Sequence, residues 1–238
     1  MGQADARFRS GRLSAPDKSA LRDAATVIVL RDAETAPSVL MGQRGAAAAF
    51  MPRKFVFPGG AVDAVDATVP LAHAPDAISD NRLKAHADPA LAHSVIAAGI
   101  RELWEETGLI LGTPGDWPHA APKGWRGFAA SGHLPSAEGI HFIFRAITPP
   151  GRPRRFDARF LLVEADRVTG DPDDFSGAED ELSHLQWVPL KKARGFDLPF
   201  ITEVVLAEVA GLITAGLPPA SVPFFDNSTD RSQFLRLG

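Results

Sequence analysis

The stretch from Asp88 to Gly108 constrains this chain more than any other. Ile96, Ile100, Leu103 and Thr107 recur at helical spacing, Asp88 can act as N-cap, Pro89 suits the first helical position, and Gly108 is a C-terminal stop. The end of this helix is unusual. Glu102, Glu105 and Glu106 stand at i, i+3 and i+4, so three carboxylates crowd one face. The helix dipole is negative there and disfavours each carboxylate by roughly 0.3–1 kcal/mol. Glu102 and Glu106 also repel one another by about 0.2–0.5 kcal/mol. A helix used only for packing would gain from Lys or Arg at these positions. A solvated acidic helix end is the plain alternative; a divalent cation that neutralises the cluster is the functional one. Hard oxygen ligands, with no Cys and no obvious His partner, favour Mg²⁺ or Mn²⁺ over zinc.

Other elements are legible around this helix. Ala25 to Arg31 and Ser38 to Gln43 read as strands separated by a turn at Glu34-Thr35-Ala36-Pro37. A small-residue loop from Gly45 to Lys54 leads into Phe55-Val56-Phe57-Pro58-Gly59-Gly60. Residues 63–88 carry no sustained period, and an insertion lying over the surface near the site is expected at about 67–88. Ile140 to Ile147, Phe156 to Val163 and Leu182 to Val188 look like strands, and Phe200 to Ala215 like a final amphipathic helix. Residues 1–20 are polar and expected to pack loosely. Strands and helices interspersed in this way predict an α/β sandwich rather than a bundle or barrel. No linker divides the chain and no repeat appears, so one domain over 1–238 is expected, with a core at about 24–215 and a tail at about 216–238.

Composition narrows the function class. Hydrophobic residues make up 45% and charged residues 23%, ordinary for a well-filled globular core. The net charge of −4 is spread along the chain and gives no pull toward nucleic acid or an anionic membrane, so a small ligand is expected. There is no cysteine, which excludes disulfides, thiolate metal sites and a cysteine nucleophile. The first apolar run, Ala24 to Leu30, is too short for a membrane span and is preceded by mixed charge, unlike a secretory leader. The last residues, Phe234 to Gly238, are not a peroxisomal tripeptide, and a cytoplasmic compartment is expected.

The string Arg101-Glu102-Leu103-Trp104-Glu105-Glu106-Thr107-Gly108-Leu109 matches Arg-Glu-apolar-x-Glu-Glu-x-Gly-apolar, the second half of the Nudix box. Average residue usage would give this by chance on the order of once in 10⁵ chains of this length. The chain departs from the first half of the box twice. Five residues after Gly60 stands Asp66 rather than Glu, and the spacer from Ala67 to Ile100 is far longer than seven residues. An interrupted box with Asp here resembles the peroxisomal-type coenzyme A diphosphatases and their bacterial relatives. Phe50-Met51-Pro52 ahead of Phe57-Pro58-Gly59-Gly60, Arg155-Phe156-Asp157, and Gln186-Trp187-Val188-Pro189-Leu190 add to the resemblance, which runs from about Ala24 to about Ala215.

The resemblance implies an α/β/α sandwich with a mixed central sheet, an insertion inside the box and a C-terminal helix. It implies that Glu105 and Glu106 bind the catalytic metal, Mg²⁺ or Mn²⁺, with Glu102 a further ligand or orienting group. It implies that Arg101 pairs with a box carboxylate. Gly59 and Gly60 stand where the backbone turns tightly beside the site. Asp66 either reaches the metal through water or caps the loop. A separate general base would come from the loop before Trp187, where Glu181 and Glu179 are the candidates. Leu40-Met41-Gly42-Gln43-Arg44 stands at the distance before Phe57-Pro58-Gly59-Gly60 that a coenzyme A pattern prescribes, although that pattern's intervening Arg and Gly are Ala49 and Arg53 here. Arg44, Arg53 and Lys54 would supply charge for a 3′-phosphate.

The activity so implied is hydrolysis of a diphosphate linkage in a small nucleotide, coenzyme A or acyl-coenzyme A first, with ADP-ribose, NADH and dinucleotides as alternatives. No nucleic-acid or membrane partner is expected, and a homodimer is compatible with the sequence. A non-catalytic nucleotide sensor on this fold would be expected to lack box carboxylates, and all three are present. An isopentenyl diphosphate isomerase requires a cysteine that the chain lacks.

Overall fold

The structure, a computed structural model, describes residues 20–48 and 50–238. The N-terminal stretch expected to pack loosely lies outside the described residues, Ser19 being its last undescribed position. In chain order the elements are β1 (Leu21–Arg31), β2 (Ser38–Arg44), β3 (Phe55–Val56), β4 (Gly59–Ala61), α1 (Ala77–Lys84), α2 (Leu91–Thr107), β5 (Gly112–Pro114), α3 (Arg126–Ala130), β6 (His133–Pro135), β7 (His141–Ile147), β8 (Arg155–Glu164), β9 (Leu182–Pro189), α4 (Phe200–Ala215), β10 (Val222–Asp226) and β11 (Gln233–Leu237).

One mixed sheet runs β11-β10-β7-β8-β1-β2-β3, with β4 also paired to β1 and β9 to β2. The β1–β8 and β10–β7 pairs are parallel and the others antiparallel. Both faces of β1 are covered, which is why its apolar run is nearly continuous rather than alternating. Ala25, Val27 and Val29 pack with α2 through Ile96, Ile100 and Leu103. Ile28 and Leu30 face the other way, toward Val205, Leu206 and Val209 of α4. The result is the α/β/α sandwich with a mixed central sheet. Among the described residues no helix is long and apolar enough to cross a membrane.

Three expectations need correction. The helix expected from Pro89 begins at Leu91, because Asp88 caps the turn before it: Asp88 Oδ1 accepts from Ala90 N at 3.0 Å. The segment at 67–88 contains a helix, α1, capped by Asp76, whose side chain accepts from the backbone of Ile78 and Ser79. This segment packs on the α2 face. Leu83 and Val69 join the core there, Ser79 Oγ accepts from Phe142 N, and Arg82 donates to the carbonyls of Pro219 and Ala220 at 2.6 and 2.7 Å. The expected tail beyond Ala215 instead adds β10 and β11 to the sheet and buries Val222, Phe224 and Leu237 in the core.

Gly99 lets α2 lie close on the sheet: a Cβ there would come within 3.0 Å of Leu161 Cδ1 and 3.2 Å of Val27 Cγ2. Gly99→Val should therefore cost about 1–3 kcal/mol of stability through overpacking. Chemical denaturation measures it, and an unshifted midpoint would contradict this account of how α2 is seated.

Candidate active site

The site assembles where the C-terminal turns of α2 reach the short strand β4. Gly108, at φ 78°, ends the helix in the left-handed conformation, and the loop after β8 is tied there by Glu179 N donating to Glu105 O at 2.8 Å. That tie brings Glu181 to the same end as Glu102 and Glu106. A Cβ on Gly60 would collide with the Glu102 carboxylate, and one on Gly59 would stand 2.7 Å from Thr26 Cα. The two glycines therefore let β4 lie against β1 on one side while carboxylates press on the other.

Arg101 is the hub. It is 4% exposed, and all five N–H groups of its guanidinium are used. Nε and Nη2 donate to the two oxygens of Asp66, both at 3.1 Å, Nη2 also to Ala61 O at 3.0 Å, and Nη1 to Glu102 and Glu105 at 2.8 and 2.9 Å. Burial opposes the Arg101 charge, but the Asp66 hydrogen bonds and the neighbouring carboxylates outweigh it and raise its pKa. Asp66 is fully buried and saturated, accepting also from Trp125 Nε1 at 3.0 Å and Asp63 N at 2.8 Å. Of its two sequence readings, capping the loop and anchoring Arg101 is the one the geometry fits.

Glu106 is 1% exposed; one oxygen accepts from Gly59 N at 2.7 Å, and Oε1 has no partner. Burial pushes Glu106 well above the usual carboxylate range, opposed by the Gly59 N–H and helped by repulsion from Glu102 and Glu181. Burial likewise pushes Glu102 up to about 7, against the pull of Arg101, with Glu105 and Glu181 adding to the rise. Glu105 is raised in the same direction, by burial first. Across from Glu106, Arg44 donates Nη2 to Glu181 Oε1 at 3.0 Å while its buried Nε finds no partner. Among the described residues the ion pairs of Asp66, Glu102, Glu105 and Glu181 are with Arg101 and Arg44, and Glu106 has none, so negative charge exceeds positive charge in this low-dielectric cluster.

The donor set fits a hard divalent cation. An orphaned carboxylate oxygen, two carboxyls raised first by burial and a third on the facing loop are all oxygen ligands. Among the described residues no three such groups already converge as a cage: Arg101 Nη1 holds Glu102 and Glu105, and Gly59 holds one oxygen of Glu106.

A cavity of about 810 Å³ opens from this cluster along the α4 face of the sheet. Gly59, Gly60, Glu102, Glu181, Arg44 and Lys54 all line it. Glu106 lies directly behind Gly59, whereas Glu105 turns toward Gly124 on the flank. Arg53 departs from expectation: its exposed side chain is not among the cavity-lining residues, and only its backbone takes part, bonding Arg44 and Gln43. Lys54 is ion-paired with Asp197, so neither residue is a free charge at the site. Residues 67–88 also contribute nothing to the lining, so the insertion does not border the site as expected; it covers α2 on the opposite face. The sequence reading missed Trp125, which no periodicity marks, and Arg22, Arg152 and Arg154, which enter the cavity wall through sheet register and a hairpin loop.

The chain is 28% identical over 186 residues to a Caenorhabditis elegans protein named "Putative nudix hydrolase 7", covering 73% of this chain and 53% of that protein. The chain thus spans about half the length of that curated relative. The crystal structure of a Nudix hydrolase from Alicyclobacillus acidocaldarius superposes with a TM-score of 0.62 at 26% identity, covering 84% of this chain and 99% of that one. No protein-family model matches the chain. The fold is the Nudix fold, and the chain is similar in sequence to proteins of that name.

The raised carboxyls give a signed pH dependence without metal. A group lifted from 4.5 to about 7 contributes stability that is present below the lower value and lost as pH rises through the upper one. For Glu102 alone the loss is on the order of 3 kcal/mol. In EDTA the melting temperature should fall between pH 5 and 8, and Mg²⁺ should restore it at pH 8 far more than at pH 5. A melting temperature that is flat with pH and insensitive to Mg²⁺ would contradict the assignment.

Proposed function

We propose that this chain is a Mg²⁺- or Mn²⁺-dependent hydrolase that cleaves the diphosphate linkage of a small nucleotide, with coenzyme A or an acyl-coenzyme A as substrate. The observation that carries this reading is the pair of orphaned, buried, opposite groups at one cavity end: Glu106 Oε1 calls for a cation, and Arg44 Nε calls for an anion. A metal bound to a diphosphate satisfies both at once.

In this reading Glu102 and Glu106 hold the cation and Glu105 completes the acidic shell. Arg101 is a positioning residue that sets the angle of Glu102 and Glu105 through Nη1. The cation, when bound, lowers the pKa of a coordinated water and neutralises developing charge on the diphosphate. Glu181 would accept the proton of the attacking water, and its bond to Arg44 aims it. Gly59 and Gly60 let β4 lie against β1 and the Glu102 carboxylate, which sets the acidic groups at the cavity end. Arg44 pairs with a non-bridging oxygen. This role moves Arg44 from the 3′-phosphate to the reacting group, because its guanidinium lies on Glu181. The water oxygen bonds to one phosphorus, the bond to the bridging oxygen breaks, and two phosphomonoesters form with release of a proton. Positioning and charge neutralisation supply most of such a rate enhancement, and no covalent nucleophile is needed.

Glu102→Gln and Glu106→Gln should each lower kcat on coenzyme A in Mg²⁺ by at least ~10²-fold while leaving the fold intact, as loss of a transition-state electrostatic contact does. A panel of coenzyme A, acyl-coenzyme A, ADP-ribose, NADH and dinucleoside polyphosphates, scored for phosphomonoester products, should show coenzyme A cleaved faster than ADP-ribose. Preference for ADP-ribose would remove the coenzyme A reading, and wild-type turnover in Glu106→Gln would remove the metal site.

A further inference from the structure

The floor of the cavity is a row of small residues made by register. Ala61 of β4 pairs with Ala24 of β1, Ala24 with Ala158 of β8, Ala158 with Ala146 of β7, and Ala146 with Phe225 of β10. Residues directly paired across strands share a face, and all five line the cavity. With strands about 4.8 Å apart, this row makes a trough roughly 19 Å long, starting at the carboxylate cluster. Elsewhere on this face larger side chains, such as Phe144 and Phe160, fill the space under α4. The alanines leave it clear.

The rim of this trough is basic. Arg22 stands two residues before Ala24, on the same face, and pairs in register with Phe156, whose ring meets Phe50 edge to face at 5.2 Å. Arg152 and Arg154 project from the hairpin between β7 and β8 into the same wall. Among the described residues none of the three arginines has an ion-pair or side-chain hydrogen-bond partner, unlike Arg44 and Lys54 at the other end. By strand geometry Arg22 lies roughly 11 Å from Gly60, three residues along β1 and one strand across. An arginine side chain bridges much of that distance.

We propose that Arg22, Arg152 and Arg154 bind a second phosphate on the nucleoside half of the substrate, with the base laid over the alanine floor against Phe156 and Phe225. This rests on the reading above for where the diphosphate sits, and it names the ligand class that the rest of the cavity takes: a nucleoside phosphorylated on two hydroxyls. A flat base needs a floor without protruding side chains and aromatic edges to lie against, and the row of alanines bounded by phenylalanines supplies both. A phosphomonoester one ribose away from the diphosphate needs cations that are not already neutralised, and the rim supplies those.

Binding measured calorimetrically in EDTA tests this independently of catalysis. Adenosine 3′,5′-bisphosphate should bind at least ~10-fold more tightly than AMP, the lower end of what one charge-assisted contact provides. In the Arg152→Ala/Arg154→Ala double variant the bisphosphate affinity should fall to that of AMP. Arg167→Ala, on a distant surface, removes the same kind of charge and should keep the difference. Ala158→Leu should weaken both nucleotides by filling the floor, and a melting curve checks its fold. Equal affinities for the two nucleotides in the parent protein, or a difference that survives the double variant, would overturn the inference. Tight, Arg152- and Arg154-dependent bisphosphate binding in a chain that hydrolyses no diphosphate would leave it standing and sink the hydrolase reading instead.

Discussion

A single buried guanidinium holds this molecule's site together. Arg101 sits on α2, yet its five donors reach Asp66 just before the box insertion, Ala61 on β4, and Glu102 and Glu105 on its own helix. Burying such a group is tolerable only when every donor is used, and losing a partner from a buried ion network ordinarily costs about 3–5 kcal/mol. The helix, the glycine strand and the long interruption of the box therefore depend on one another through this residue. The interruption keeps its register because Asp66, fully buried, is locked by Arg101, Trp125 and the Asp63 backbone before the chain departs toward α1.

The same network leaves the site electrostatically incomplete. Arg101 neutralises part of the acidic cluster, and Arg44 reaches Glu181, but Glu106 Oε1 is left bare in a buried position. Burial first, and repulsion from neighbouring carboxylates second, raises Glu102 and Glu106. A bound cation would favour the ionised carboxylates, so metal binding and tightening of the site are expected to be linked. The polarity of the cavity follows from the same layout, acidic where α2 meets β4 and basic where the β7–β8 hairpin closes the far rim.

The parts of this architecture legible in the sequence are those set by local periodicity. The core face of α2 shows in Ile96, Ile100 and Leu103, its end shows in Gly108, and α4 runs over the residues its pattern marked, Phe200–Ala215. The doubly buried β1 shows in its unbroken apolar run. The illegible parts are made by tertiary contact. Helix α1 buries Ser79 and Arg82 beside a single large apolar residue, Leu83, so it carries almost no hydrophobic signal. Strands β10 and β11 are short and gain their burial only by docking onto β7. Trp125 holds Asp66 from a segment without period. The alanine floor draws Ala24, Ala61, Ala146 and Ala158 from four strands far apart in the chain, and only the register brings them side by side. Candidate ligands are visible as a carboxylate cluster at an unfavourable helix end; which of them lines the cavity is not, because Glu102 reaches it, Glu106 sits behind Gly59 and Glu105 turns toward Gly124 only through how β4 and the Gly124 turn flank the helix.

The central proposal is that the carboxylates at the end of α2, held by Arg101 and by Gly59, form a divalent-cation site centred on Glu102 and Glu106. Mn²⁺ binding at pH 8, followed by the loss of the free-ion paramagnetic resonance signal, addresses it without any assumption about substrate. The account predicts saturable binding to the parent protein, competed by Mg²⁺, and at least ~10-fold weaker binding in Glu106→Gln, the range expected when one anionic oxygen partner is lost. Equal Mn²⁺ affinity in the parent protein and Glu106→Gln would contradict it.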